Sequence, residues 1–251
     1  MAVTWHVDDG IAEIVMSNPP VNAITVGDTW RIREIFLELA RDETLRAIIL
    51  TATGKGFNAG IDIKEMQSGN EMDFLVSSGE ACYETFDTIY RSAVPVIAAV
   101  NDYCLGLGIG LVGSCDMIVA SKRARFGLPE VDNGSLGCAS HLAKLVPPMK
   151  LREMTLTCKP ASAAELHAWG SIALLTEPDE LMEKARELAR GIAKKKKHVI
   201  KYAKAALNHI DIFDMHGNYR LEQGYTYQLN VMGDGSRARN EFVAGTRIIT
   251  R

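Results

Sequence analysis

The sequence predicts an α/β protein whose C-terminal part is helical. Continuous apolar runs at residues 47–52, 94–100 and 117–120 are typical of strands that are buried on both faces. Segments with apolar residues at helical spacing separate these runs, so strands and helices alternate as in a parallel sheet with crossover connections. Helical spacing then prevails through most of the second half. We therefore predict an α/β core over residues 1–176 and a helical region over residues 177–251.

The first elements are two short strands and a helix. Alternating apolar residues flank Asp9 and Gly10, a dipeptide that is typical of a hairpin turn. Pro19 and Pro20 end the second strand, since proline cannot donate a hydrogen bond to a strand ladder. Helices are predicted over about residues 25–40, 72–91 and 181–192.

Composition and charge exclude several classes of function. The chain has 251 residues, of which 47% are hydrophobic and 24% charged, as in ordinary soluble globular proteins. Its formal net charge of -3 argues against nucleic acid as the main partner, because phosphate binding requires a basic surplus. No apolar run approaches the roughly 20 residues of a membrane span, and no signal peptide is visible. Five cysteines without C-x-x-C spacing indicate a reduced cytoplasmic protein, and the six histidines form no metal-binding pattern.

Glycine clusters follow two of the buried strands. Residues 108–113 match G-x-G-x-x-G, which contacts a pyrophosphate in dinucleotide-binding folds. That fingerprint normally follows its strand directly and near the start of a domain, whereas about a hundred residues precede it here, so nicotinamide binding is disfavoured. Backbone N–H groups at helix starts are unsatisfied, so two adjacent loops of this kind can donate to one developing oxyanion. The other explanation for both clusters is close packing alone.

Three further side-chain features have two interpretations each. Glu130 follows a turn fixed by Pro129, and it is either an exposed loop carboxylate or a general acid or base aimed at a ligand between the glycine loops. His141 is a lone histidine on a predicted helix, either structural or catalytic. The four lysines at 194–197 form a solvated helix end or contact an anionic ligand.

Three ordered motifs resemble those of the crotonase (enoyl-CoA hydratase/isomerase) superfamily. They lie at residues 57–66, 95–116 and 126–130, and the similarity covers essentially the whole chain. The resemblance implies a crotonase-like spiral of β-β-α turns, with a helical C-terminal trimerisation region that also covers the active site. It further implies an acyl-CoA substrate, with coenzyme A as part of that substrate and no permanently bound cofactor. The implied assembly is a homotrimer or a homohexamer.

The resemblance also assigns roles to individual residues. By position, the backbone N–H groups of Ile61 and Leu107 would form the oxyanion hole for a thioester carbonyl, and Glu130 would be the acid/base residue. Leu107 stands where the family often has glycine, which changes a side chain but keeps the backbone donor. The residues along the path of coenzyme A would be Ala59, Asp62 and Lys64. Additional acyl-pocket candidates are Asp132, His141 and Glu222.

One departure from the family pattern concerns a second carboxylate. Enoyl-CoA hydratases carry a further glutamate where this chain has Gly110, and hydration uses paired carboxylates to position and activate water. Segments 60–67, 108–113, 126–131 and 219–225 resemble instead those members that hydrolyse a C–C bond to open a ring of a steroid-derived bicyclic acyl-CoA. The alternative is an enoyl-CoA hydratase or isomerase of fatty-acid-type β-oxidation.

Overall fold

The computed structural model describes residues 2–66, 70–211 and 214–246, and its central element is a six-stranded sheet. β1 pairs antiparallel with β2, and the following neighbours in the sheet are parallel. A second, three-stranded sheet lies beside it. The six strands in spatial order are β1 (Val3–Asp8), β2 (Ile11–Met16), β3 (Ala47–Ala52), β4 (Val96–Val100), β6 (Met117–Ser121) and β9 (Leu174–Thr176). The three strands are β5 (Cys104–Leu105), β7 (Arg125–Gly127) and β8 (Ala161–Ser162).

Helices surround both sheets and make up most of the C-terminal part, which confirms the predicted fold class. In the part of the chain that is described, no helix is long and apolar enough to cross a membrane. The helices are α1 (Val26–Leu39), α2 (Ile63–Met66), α3 (Glu71–Tyr90), α4 (Leu107–Gly113), α5 (Ala139–Leu142), α6 (Pro148–Thr157), α7 (Ala163–Ala168), α8 (Leu181–Ala193), α9 (Lys197–Ile210), α10 (Met215–Val231) and α11 (Asp234–Val243). A 3-10 turn covers Val131–Asn133.

The large sheet is covered on both faces, which explains its continuous apolar strands. Ile48 and Leu50 of β3 face the larger hydrophobic cluster, to which α1 and α3 also contribute. The alternate residues Ala47 and Ile49 face a second cluster with α8. α8 therefore packs on the large sheet, although the boundary that we predict at residue 176 assigns it to the C-terminal helical region.

An ion pair fastens α9 to the core. The Lys204 side chain is buried, and its Nζ donates to Asp116 Oδ2 at 2.7 Å and to the Val94 carbonyl oxygen at 3.2 Å. The same Asp116 oxygen accepts from the Val96 N–H at 2.7 Å. Since many apolar side chains of α9 are exposed, this pair is a main attachment of the helix.

We expect Lys204→Met to lower the free energy of unfolding by about 2–4 kcal/mol, because Asp116 would lose its partner while remaining partly buried. Urea unfolding at constant pH measures this difference. Lys201→Met is the matched control on the exposed side of α9, and it should change stability by less than about 0.5 kcal/mol. Equal stabilities of the two variants would contradict the assigned role of Lys204.

Candidate active site

Two loops run side by side beyond the carboxyl ends of β3 and β4, which are neighbouring parallel strands. Asn58 and Cys104 pair as an isolated parallel bridge. Within it, the Leu105 N–H donates to the Asn58 carbonyl oxygen at 2.9 Å. Ile61 and Leu107 each lie three residues beyond this bridge. The bridge therefore brings the two predicted oxyanion donors onto adjacent loops.

A glycine precedes each of these donors and lets the loops approach. The φ angle is 102° at Gly60 and 56° at Gly106, in the left-handed region that L side chains rarely adopt. A Cβ atom on Gly106 would lie 3.5 Å from the Gly60 Cα and 2.6 Å from Glu130 Oε1. Gly60 thus serves the backbone conformation, and Gly106 serves both the conformation and the close approach of Glu130.

The N–H groups of Ile61 and Leu107 are free to donate to a ligand. The Gly60 carbonyl accepts from the Ile24 N–H at 3.1 Å. Because the peptide unit is planar and trans, the Ile61 N–H in that unit points the opposite way, away from Ile24. Leu107 is the first residue of α4, where a backbone N–H has no acceptor within the helix. Among the described residues neither group has a protein acceptor, which is the arrangement of an oxyanion hole.

A buried amide fixes the first of the two loops. Asn58 is fully buried, and its Oδ1 accepts from the Gly60 N–H at 2.8 Å. Its Nδ2 donates to the Asn22 carbonyl at 2.8 Å, while Asn22 Nδ2 donates to the Gly56 carbonyl at 2.6 Å. Asn58 therefore consumes the Gly60 N–H and leaves the Ile61 N–H for a ligand. Neither asparagine was predicted as a site residue, although Asn58, two residues before Gly60, is a turn signal.

A largely apolar cavity of about 150 Å³ opens beside the loops, between α3, α10 and the segment 129–138. This is roughly ten times the space that one water requires, so the cavity can hold a ligand. Among the described residues, Glu130 is the only carboxylate in its lining. Four of the predicted site residues line it together: Ala59, Ile61, Leu107 and Glu130.

Glu130 is held by its backbone, and one of its two carboxyl oxygens has no hydrogen-bond partner among the described residues. Its carbonyl oxygen accepts from the N–H groups of Asn133 at 2.9 Å and Ser135 at 3.0 Å, which fixes the turn. Its Oε2 is buried without a hydrogen-bond partner among the described residues. The pKa of Glu130 is raised to about 8, chiefly by burial, and the nearby Glu222 carboxylate contributes to this shift. Such a carboxyl exchanges protons near neutral pH, as a general acid or base must.

The predicted coenzyme A residues Asp62 and Lys64 lie outside the cavity lining, next to residues that belong to it. Ile61 and Ile63 line the cavity on either side of Asp62. The Asp62 carboxylate accepts from the Lys64 N–H at 3.0 Å, at the start of α2. The Lys64 side chain is exposed, so a cation stands close to the cavity wall.

None of the three acyl-pocket candidates belongs to the lining of this cavity. Asp132 lies in the 3-10 turn that follows Glu130. His141 is buried behind Tyr219, with ring centroids 5.4 Å apart, and burial lowers its pKa to about 3, so the ring is neutral. Glu222 accepts from the N–H groups of Ala139 at 2.9 Å and Ser140 at 2.8 Å, and thereby holds the start of α5.

The G-x-G-x-x-G fingerprint lies entirely inside α4. A Cβ atom at Gly108, Gly110 or Gly113 would come within 3.1 Å of a neighbouring side chain. The pattern therefore reflects close packing of a helix, and it is not the strand-to-helix loop that a dinucleotide site requires.

Phe86 fills the space beside Gly110. A Cβ atom on Gly110 would lie 2.1 Å from Phe86 Cζ, and the ring of Phe86 is itself buried. A glutamate at position 110 would therefore require Phe86 to move. The structure therefore gives a steric reason why position 110 carries a glycine and not a second carboxylate.

Arg239 is a lining residue that sequence reasoning missed. Its guanidinium group binds Glu71 of α3 through Nε at 2.9 Å and through Nη2, which also binds Asn230. Its Nη1 is buried without a hydrogen-bond partner in the described structure. Arg239 and Glu71 are 168 residues apart, and no local pattern announces such a contact. In the described ranges, no group of three or more histidine, cysteine or acidic residues could hold a metal ion.

Comparison with known proteins places this geometry in a family. The (7aS)-7a-methyl-1,5-dioxo-2,3,5,6,7,7a-hexahydro-1H-indene-carboxyl-CoA hydrolase of Rhodococcus jostii is 45% identical over 97% of this chain and 95% of its own length. The protein of the same name from Mycobacterium tuberculosis is 44% identical over 94% of this chain and 96% of its own. The crystal structure of human enoyl coenzyme A hydratase domain-containing protein 3 superposes with a TM-score of 0.80 at 30% identity, covering 100% of both chains. Residues 6–227 match the model of the enoyl-CoA hydratase/isomerase family. The chain belongs to the enoyl-CoA hydratase/isomerase (crotonase) family.

Proposed function

We propose that this protein is a hydrolase that opens a ring of a steroid-derived bicyclic acyl-CoA. The observation that carries the proposal is an unpaired carboxyl oxygen, Glu130 Oε2, beside two free backbone donors in an apolar cavity of the described structure. Phe86 occupies the place of a second carboxylate. The names of the two bacterial relatives support the same substrate class. Coenzyme A enters as part of the substrate, and no permanently bound cofactor is needed.

The residues at the cavity suffice for the proposed hydrolysis. Glu130 takes a proton from water, whose oxygen forms a bond to the carbon of a ring ketone. The C–C bond then breaks, and its electron pair moves through the conjugated system to the thioester oxygen. The N–H groups of Ile61 and Leu107 stabilise this enolate. Glu130 returns its proton to carbon, and the former ketone carbon ends as a carboxylic acid.

Lining and exposure support the path that we propose for coenzyme A. Ala59 lines the cavity, and Asp62 and Lys64 follow the first oxyanion donor on the same loop. The exposed Lys64 ammonium would offer a charge partner to the phosphates. Arg239 Nη1 would donate to a carbonyl oxygen on the ring system.

We propose a homotrimer or homohexamer that works in the cytoplasm, with residues 177–251 contributing to assembly and to the active-site cover. Tyr219 and Arg239, which line the cavity, support the covering role. Free cysteines support a reducing compartment. Large apolar side chains at least 62% exposed support association, among them Met149, Leu156, Val199, Tyr202 and Val231.

Substrate comparison tests the proposed function directly. We expect the protein to convert the hexahydroindene-carboxyl-CoA thioester to a product heavier by one water, as measured by mass spectrometry. Crotonyl-CoA hydration should be at least about 10²-fold slower, because a second carboxylate is lacking at position 110. Rapid crotonyl-CoA hydration without ring opening would contradict the proposal and favour the hydratase alternative.

Leu107→Pro should lower kcat for the acyl-CoA substrate by about 10²–10³-fold, because it removes one oxyanion donor. Proline is well tolerated at the first position of a helix, and the Leu107 N–H makes no hydrogen bond to the described protein residues, so the fold should persist. Leu107→Ala is the matched control that keeps the N–H. A similar kcat for both variants would remove Leu107 from the oxyanion hole.

Glu130→Gln should lower kcat by at least about 10²-fold and leave the affinity for the acyl-CoA nearly unchanged, because it removes proton transfer and retains size. Steady-state kinetics and calorimetric titration measure the two quantities. Glu34→Gln, at an exposed position of α1, serves as the control. A parent-like rate in Glu130→Gln would make Glu130 structural.

Glu130→Gln should also stabilise the fold at alkaline pH. Folding raises the pKa of Glu130 from 4.5 to about 8, so its protonated form stabilises the native state fully below pH 4.5, and this contribution is lost as the pH rises through 8. Glutamine does not ionise, so the variant should exceed the parent by at least about 2 kcal/mol at pH 9. The difference should vanish towards pH 4.5. Urea unfolding across this range tests it, and a pH-independent difference would contradict the burial of the carboxyl group.

A further inference from the structure

A second cavity lies directly behind Glu130. It has a volume of about 200 Å³ and a mainly apolar lining, which includes Leu128 and Tyr225. We call this second space the rear cavity, and the cavity beside the two loops the front or acyl cavity. Three residues line both: Glu130, Leu136 and Gly137. Glu130 therefore borders both cavities.

Polar side chains converge on this second cavity from three elements. Besides Glu130, the lining contains Thr155 of α6 and Glu222 of α10. Thr155 Oγ1 and Glu130 Oε2 are both buried, and neither has a hydrogen-bond partner in the part of the chain that is described. Such groups are destabilising and rare, so two of them at one small cavity require an explanation.

The Thr155 hydroxyl does not make the hydrogen bond that is usual for a threonine in a helix. A threonine in a helix commonly donates its hydroxyl to the carbonyl four residues earlier. Thr157, in the same helix, donates in this way to the Glu153 carbonyl at 2.7 Å. Thr155 does not, so its hydroxyl remains available to a group inside the cavity.

We propose that this second cavity holds the water that the hydrolysis consumes, and that Thr155 positions it for Glu130. A buried water requires two to four polar partners, and Thr155, Glu130 and the remaining lone pairs of Glu222 supply them. The Thr155 hydroxyl donates to the water oxygen, and the water donates to Glu130 Oε2. Thr155 acts through the water and does not touch the acyl group, so it is a positioning residue.

The inference rests on the proposed hydrolysis and explains how water reaches a filled site. A bicyclic acyl group would displace water from the apolar front cavity, while every turnover uses one water. From the rear cavity the water passes the Glu130 carboxylate. The water gives a proton to Glu130, and the water oxygen bonds to the ring carbonyl carbon. The C–C bond then breaks, and its electron pair forms the enolate as described above. Water supplied from the rear cavity can therefore reach the Glu130 carboxyl group while the acyl group occupies the front cavity.

Substitution at Thr155 tests the proposal by kinetics. Thr155→Val keeps the shape and removes the hydroxyl, and it should lower kcat for ring opening by about 10-fold or more with little change in KM. Thr155→Ser restores the hydroxyl and should recover most of the parent rate. Thr157→Val is the matched control on α6 and should behave as the parent does. A parent-like kcat in Thr155→Val, or a Thr155→Ser variant as slow as Thr155→Val, would overturn the inference.

A crystal structure of the parent protein at high resolution gives a second test that does not depend on turnover or on the folding of a variant. We expect density for a water within hydrogen-bond distance of both Thr155 Oγ1 and Glu130 Oε2. A Thr155 hydroxyl bound to the Leu151 carbonyl, without such a water, would overturn the proposal. If the parent fails to open the bicyclic thioester, the proposed function fails, and this density alone then decides whether the water site exists.

Discussion

The hydrogen bonds of the buried Asn58 side chain determine the geometry on which the site depends. The amide ties the loop after β3 to Asn22 on one side and takes the Gly60 N–H on the other. The backbone carbonyl oxygen of Asn58 accepts from the Leu105 N–H, which aligns the second loop with the first. Gly108 of α4 packs against the same side chain. Asn58 thus aligns the two loops through its backbone, occupies the Gly60 N–H through its side chain, and contacts α4.

Rigid surroundings allow a few polar groups at the site to remain unpaired. Both faces of the large sheet are covered by helices, and its strands end at the two loops. Glu130 Oε2 and Arg239 Nη1 each lower the free energy of unfolding, because a buried polar group without a partner among the described residues is unfavourable. The sheet compensates through the apolar area that it buries. The unpaired polar groups at the cavity and the apolar area that stabilises the fold therefore lie in different parts of the molecule.

Local patterns were sufficient to predict the hairpin of β1 and β2 and the buried strands β3, β4 and β6. The role of Glu130 came only from the family resemblance, because its position alone fits an exposed carboxylate equally well. The buried runs indicate strands because both sheet faces are covered, and glycines mark places where φ is positive. Contacts between distant segments were beyond such reasoning. Phe86 explains Gly110 only after α3 has packed on α4, and Arg239 reaches Glu71 across most of the chain. His141 lies on a helix as predicted, but its aromatic neighbours, which come from α3 and α10, place it behind the cavity wall.

The attachment of α11 to α3 has a consequence for biosynthesis. Arg239 and Ser236 bind Glu71, and Arg239 completes the wall of the acyl cavity. The oxyanion loops and Glu130 leave the ribosome more than a hundred residues before Arg239 does. The part of the cavity wall that Arg239 supplies can therefore close only after the two loops and Glu130 have been synthesised, because Arg239 follows them along the chain.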